Sequence, residues 1–285
     1  MDGLPFTDLN HLALDGAGGV FISTGSGFVI SDDGGETFTV RNTSNGLANN
    51  NVFISAVSST GELYVATSQG LGVSTDGGLN FSNRTAIDNG LRTDLNSSLA
   101  VDGTNVYAAG SLGLSVSSDS GSSFTDANLV NNSVNSLRVF GGVLYAATNG
   151  GLSISTDKGS TFVNRTIADG LASDFVNDVF VDGSGNIHVA TSAGVSISSD
   201  GGLSFAAEIG SPSVAVDEIL GDGNNNLFAA TGEGLELQEN AEGLYSIINS
   251  TEGLFGEVND IYSTCLLYTS PSPRDQRGSR MPSSA

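Results

Sequence analysis

The sequence predicts an all-β fold, a β-propeller of four-stranded antiparallel blades with six recognisable blades plus the start of a seventh. Three observations carry this expectation. An aromatic or imidazole side chain is followed twelve residues later by the centre of one short motif, in the pairs Phe21/Asp33, Tyr64/Asp76, Tyr107/Asp119, Tyr145/Asp157, His188/Asp200 and, degenerate, Phe228/Asn240. The motif aspartates recur at spacings of 43, 43, 38 and 43 residues, a period that marks an array of small sheets, each burying its core against its neighbours. The runs between them are short, β-branched and bounded by Gly, Asn and Asp, with no helical periodicity anywhere.

The fifth repeat shows the elements in order. Val176 to Val181 forms a first strand, Ile187 to Thr191 a second and Val195 to Ser198 a third, before the motif ends at Phe205. The third strand alternates most cleanly, as Phe28/Ile30, Leu71/Val73, Leu114/Val116, Leu152/Ile154, Val195/Ile197 and Leu235/Leu237. One of its faces is apolar in all six copies and is expected to pack against an adjacent blade. Repeats fall at about residues 3–45, 46–89, 90–128, 129–169, 170–209 and 210–252, with a partial one at 253–264, so residues 1–264 are expected to form the propeller.

The motif runs Ser31-Asp32-Asp33-Gly34-Gly35-Glu36-Thr37-Phe38. It recurs with Ser74, Asp76, Gly78 and Phe81; Ser117, Asp119, Gly121 and Phe124; Ser155, Asp157, Gly159 and Phe162; and Ser198, Asp200, Gly202 and Phe205. This pattern resembles the Asp-box, or bacterial neuraminidase repeat. Its chemistry is that of a turn: the carboxylate accepts backbone N–H groups, Gly takes up positive φ, and Phe anchors the turn in the blade. Asp-x-Gly strings also suggest calcium loops, but the positions where such a loop needs a bidentate carboxylate hold Phe, Ser and Asn, so no metal or other cofactor is expected. The sixth copy, Gln238 to Tyr245, is degenerate and is expected to form a looser turn.

After Thr264 no repeat position continues. Pro271, Pro273, Pro282, Arg274, Arg277, Arg280 and the single cysteine, Cys265, all lie there. Cys265 to Asp275 and Ser279 to Ala285 resemble the two ends of a translated sequencing adapter, so residues 265–285 are read as a non-native, disordered tail. Gly3-Leu4 is already in repeat phase, and a ring closes by pairing its ends, so a parent of seven or more blades is expected. Before the tail, six basic residues stand against thirty acidic ones. A surface this acidic repels phosphate backbones and anionic lipid, which argues against nucleic-acid and membrane-surface partners. No run approaches the length of a membrane helix.

The titratable candidates fit structural columns. His188 replaces Phe21, Tyr64, Tyr107, Tyr145 and Phe228 and is read as a core substitute. His11 shares a mostly polar first-strand column with Ile54, Ser98, Ser136, Asp178 and Glu218, placed along the channel. Sialidases, which carry Asp-boxes, clamp a carboxylate with three arginines, but Arg41, Arg84 and Arg165 each follow a motif Phe by three residues and form one repeated column. Arg92 and Arg138 are too few to rebuild the clamp. Xyloglucanase-type propellers stack sugars on Trp, and the chain has none.

Length variation points to a binding face. From motif Phe to the next second-strand aromatic the distances are 26, 26, 21, 26 and 23 residues, and most of that variation falls in the loop from the outer strand of one blade to the inner strand of the next. Variable loops on a rigid scaffold are where recognition usually sits. Within them Asp88, Arg92, Asp94, Asp169 and Asp174 are the candidate binding residues; Asn and Asp are also good turn formers, which leaves a purely structural role equally open. The Asn-Gly-Leu and Asp-Gly-Leu sequences at Asn45, Asn89 and Asp169 resemble sensor propellers of two-component regulators. The motif side is similar to sortilin-type and photosystem II assembly-factor propellers. The resemblance implies a non-enzymatic, secreted or periplasmic binding propeller for a protein or glycan ligand. The alternatives are a sialidase-like glycoside hydrolase and a two-component sensor domain.

Overall fold

Each forty-residue repeat folds into one sheet. The computed structural model describes residues 4–248 apart from 16, 209–211, 223–225 and 239–245, with only the backbone described at 246–248. The sixth motif turn, the strand expected at 253–263 and the tail at 265–285 lie outside the described residues. Six sheets of four strands follow one another along the chain, and within each the strands pair antiparallel in sequence order. The first strands are Leu9–Leu14, Val52–Val57, Ser98–Asp102, Val134–Phe140, Val176–Val181 and Val216–Gly221. Consecutive first strands pack against one another, and residues at or beside all six line a common cavity, so they are the inner strands of a propeller.

The hairpin between the second and third strands is tight because its residue types permit it. In blade two, Thr67 Oγ1 donates to the Gly70 carbonyl at 2.9 Å, and Gly70 adopts φ +124°, a conformation L side chains rarely take. The same Thr-to-Gly bond closes the hairpins at Thr24, Thr148, Thr191 and Thr231.

The core consists of layers between blades. Phe28 and Ile30 of the first blade pack against Val52, Leu63 and Val65 of the second. Leu71 and Val73 then meet Leu99 and Val106, Leu114 meets Leu137 and Leu144, Leu152 and Ile154 meet Val176 and Ile187, and Val195 meets Val216 and Ile219. The apolar face of the third strand in each of the first five blades therefore packs on the blade that follows. Its opposite face carries small residues such as Gly72, Ser115 and Ser196, which leave room for the incoming loop: Ser115 and Ser196 accept the backbone N–H groups of Arg92 and Ala172.

Two features are absent from the sequence reading. Five of the six inner strands shift register near their first residue, between Val134 and Ser136 for example. Such a bulge turns the extra side chain sideways, and Asn10, Asn135 and Asn177 use it to donate to the carbonyls of Val52, Val176 and Val216 in the next blade, at 2.7–2.8 Å. Secondly, three loops expected to be irregular carry single helical turns at Thr43–Asn45, Ala86–Asn89 and Ile167–Asp169. Each is capped by the preceding Asn42, Thr85 or Thr166 and stopped by Gly46, Gly90 or Gly170 in the left-handed region.

Candidate functional site at the channel mouth

The motif turns are closed hydrogen-bond systems. In the first, Asp33 Oδ1 accepts from Ser31 Oγ at 2.7 Å and from the N–H groups of Glu36 and Thr37, while Thr37 Oγ1 donates to Oδ2 at 2.6 Å. Ser31 Oγ in turn accepts the Gly35 N–H. The same arrangement holds Asp76, Asp119, Asp157 and Asp200. The motif glycine is needed for space as well as φ: at Gly202, φ +84°, a Cβ would stand 2.7 Å from Ile154 of the preceding blade. Hydrogen bonds from the Thr37 hydroxyl and N–H and from Ser31 bring Asp33 down to about 2, and similar donors bring Asp76, Asp119 and Asp157 to the same value. Carboxylates depressed in the folded state contribute stability that is present above about pH 4 and is lost as pH falls towards 2. The thermal midpoint should therefore drop across that window, by an amount that solvent screening of these exposed carboxylates reduces, and Asp157→Asn should blunt the drop while lowering the midpoint at neutral pH.

The five candidate loop residues shape their own loops. Asp94 and Asp174 accept the first N–H groups of the helical turns, from Ala86 and Ile167, both at 2.7 Å. Asp88 and Asp169 accept from the capping Thr85 and Thr166 hydroxyls. Arg92 donates to the Leu112 carbonyl and pairs with Asp126 at 3.2 Å. The bonds of the four acids are those of turn and cap formers, whereas Arg92 ties its loop to the hairpin and outer strand of its own blade. In the arginine column, Arg41 and Arg84 reach across to the Gly78 and Gly121 carbonyls in the next motif, at 2.6 and 2.7 Å, while Arg165 pairs with Asp169.

The groups that do converge lie on the inner strands. A cavity of about 490 Å³ opens where these strands begin, lined by His11, Ile54, Ser98, Ser136, Asp178 and Glu218 of the polar column, together with Asn135, Arg138 and Asp217. Asp178, 2 % exposed, is its hub. Its carboxylate accepts from Ser136 Oγ at 2.6 Å, from Arg138 at 3.2 Å and from the Ile219 N–H at 3.3 Å, joining blades four, five and six. Arg138 also pairs with Glu218 at 3.2 Å. Sequence reading had set Arg138 aside; its signal was strand periodicity, because two residues after Ser136 it shares that residue's face.

His188 occupies the aromatic column and is fully buried, as expected, but as more than an apolar substitute. Its Nδ1 lies 3.2 Å from Glu208 and its Nε2 3.4 Å from Asp182, both acids also buried. Glu208 stands where three other blades carry Arg41, Arg84 or Arg165, so two departures from the repeat compensate each other. Burial opposes the charged imidazole, but Glu208 and then Asp182 outweigh it and raise its pKa above the ordinary 6.5.

These features define a β-propeller with a polar channel mouth. By sequence the chain matches no family model and no curated protein. By structure it is similar to the extracellular domain of a hybrid two-component system from B. thetaiotaomicron, with TM-score 0.72 and 18 % identity over 91 % of this chain and 38 % of that one. It is also similar to YCF48 bound to a D1 peptide, with TM-score 0.67 and 14 % identity over 88 % of this chain and 84 % of that one. A GH74 enzyme from Niastella koreensis gives TM-score 0.60 and 18 % identity over 84 % and 38 %. The chain thus spans well under half the length of the sensor domain and of the enzyme. At these identities the likeness establishes the propeller fold, which hosts sensing, assembly and hydrolytic proteins alike.

Proposed function

We propose that the chain is a non-enzymatic binding propeller of an extracellular or periplasmic bacterial protein, its motif turns being structural Asp-boxes, and that recognition takes place at the channel mouth and the loops around it. The observation that carries this reading is the 490 Å³ cavity to which all six blades contribute. A cleft where convergent polar groups meet is the usual form of a ligand site. The extracellular placement of the similar sensor domain and the peptide bound by YCF48 support it. Hydrolysis fits less well. Two-carboxylate glycosidases need a free acid and a free base or nucleophile, whereas Asp178 accepts from three partners and Glu218 is paired with Arg138. A sensor role is the second reading, favoured by the similarity to the two-component domain, and it uses the same surface.

Incubation of the purified chain with xyloglucan oligosaccharides and sialyllactose, followed by reducing-end and free-sialate assays, tests the non-enzymatic assignment. No release above the protein-free control is expected. Release that Glu218→Gln abolishes would show an active site in the channel.

A further inference from the structure

We infer that the channel mouth receives a basic polypeptide segment flanked by apolar residues, its cationic side chain entering the cavity. This inference rests on the reading of that end as the recognition surface and adds the chemistry of the partner.

The first observation is charge. Asp178, Asp217 and Glu218 face the cavity; Arg138 pairs with the first and last, so one cation stands against three acids and the cavity stays negative, in a chain of net charge −22. Asp217 is exposed at the lip. A field of this sign draws cations in and repels phosphate and carboxylate ligands. The fold itself shows how a guanidinium is held there, since Arg138 of blade four is gripped at 3.2 Å by acids from blades five and six. Among the described residues no three His, Cys, Asp or Glu side chains are grouped to hold a metal ion.

The second observation is an apolar rim. Leu9, Leu95, Leu112, Val130 and Phe175 are 53, 54, 57, 76 and 43 % exposed. Chain path and hydrogen bonds place them at the end where the cavity opens. Leu9 lines the cavity itself, the Leu112 hairpin is tied to Arg92, and the Phe175 carbonyl accepts from Ser192 in the hairpin of blade five. Leu79, Phe140 and Leu203 are exposed at the opposite end, but these five share the end that carries the polar cavity, and apolar side chains beside such a cavity suit a contact surface. A polar cavity with apolar side chains of blades one, three, four and five at the same end matches a basic residue between hydrophobic neighbours. An oligosaccharide would call for flat aromatic platforms, and Phe175 is the only large exposed aromatic at this end among the described residues.

The probe is a fluorescein-labelled peptide carrying two arginines between leucines, compared with its Arg→Glu and Leu→Ser counterparts, by fluorescence anisotropy on the full chain. The basic apolar peptide should bind, weaken as salt rises and lose about tenfold in affinity on either Asp217→Asn with Glu218→Gln or Leu95→Ser with Phe175→Ser. Circular dichroism checks that each variant is folded. Binding of the acidic peptide as tightly, or binding that neither variant alters, would overturn the inference. A xyloglucan oligosaccharide that binds in the peptide's place and is weakened by the same variants would overturn the partner class but leave the recognition face standing. No ligand sensitive to either variant would remove both.

Discussion

Asp178→Ala should lower the stability of the propeller by about 2–4 kcal/mol, one of the largest effects expected of any polar substitution. The side chain is 2 % exposed and binds a hydroxyl and a guanidinium of blade four and a backbone N–H of blade six. Truncation leaves the Ile219 N–H buried without an acceptor, and unsatisfied groups of that kind account for most of the cost. Loss of the charge pair adds less, because the Arg138 side chain is 40 % exposed and keeps Glu218. Asp178→Asn retains an acceptor for Ile219 and should cost about half as much. Urea unfolding of the three proteins checks this, and an alanine variant of wild-type stability would mean that the inter-blade bonds contribute nothing.

The second large effect is expected at His188. Its folded pKa is raised, so its contribution to stability is complete below about pH 6.5 and declines as pH rises through the folded value. The wild-type midpoint should therefore fall as pH rises above about 6.5. His188→Phe restores the residue type of the column but strands two buried carboxylates, and it should cost about 3 kcal/mol. Glu208→Ala, the residue found at the equivalent Ala127, should recover part of that loss in the double variant. A coupling energy near zero between the two substitutions would show that the imidazole and Glu208 do not interact.

The architecture was legible because the repeat states each rule several times. One Ser-x-Asp-x-Gly turn is a weak signal, but five in phase with a buried aromatic fix the strand order and identify the face of the third strand that packs. The functional centre was less legible, because it arises where repeats differ and where distant strands meet. The column His11, Ile54, Ser98, Ser136, Asp178 and Glu218 could be read down the alignment of repeats, and it does line the channel. Nothing in that column reveals that Arg138 spans to acids 40 and 80 residues away. The pairing of His188 with Glu208 is similarly non-local: each is an exception in its own column, and only the folded blade shows that they offset one another. The loop acids Asp94 and Asp174 show a different limit of the sequence. Variable length drew attention to them, while their side chains are held by their own helical turns.

Hydrogen exchange of the full chain, with and without the arginine-leucine peptide, is the most direct test of recognition at the channel mouth. The account predicts added protection at residues 93–98, 110–113, 130–138, 174–178 and 216–218, with the motif turns at 31–38, 74–81, 117–124, 155–162 and 198–205 unchanged. Protection confined to the motif turns, or to the outer strands, would contradict it.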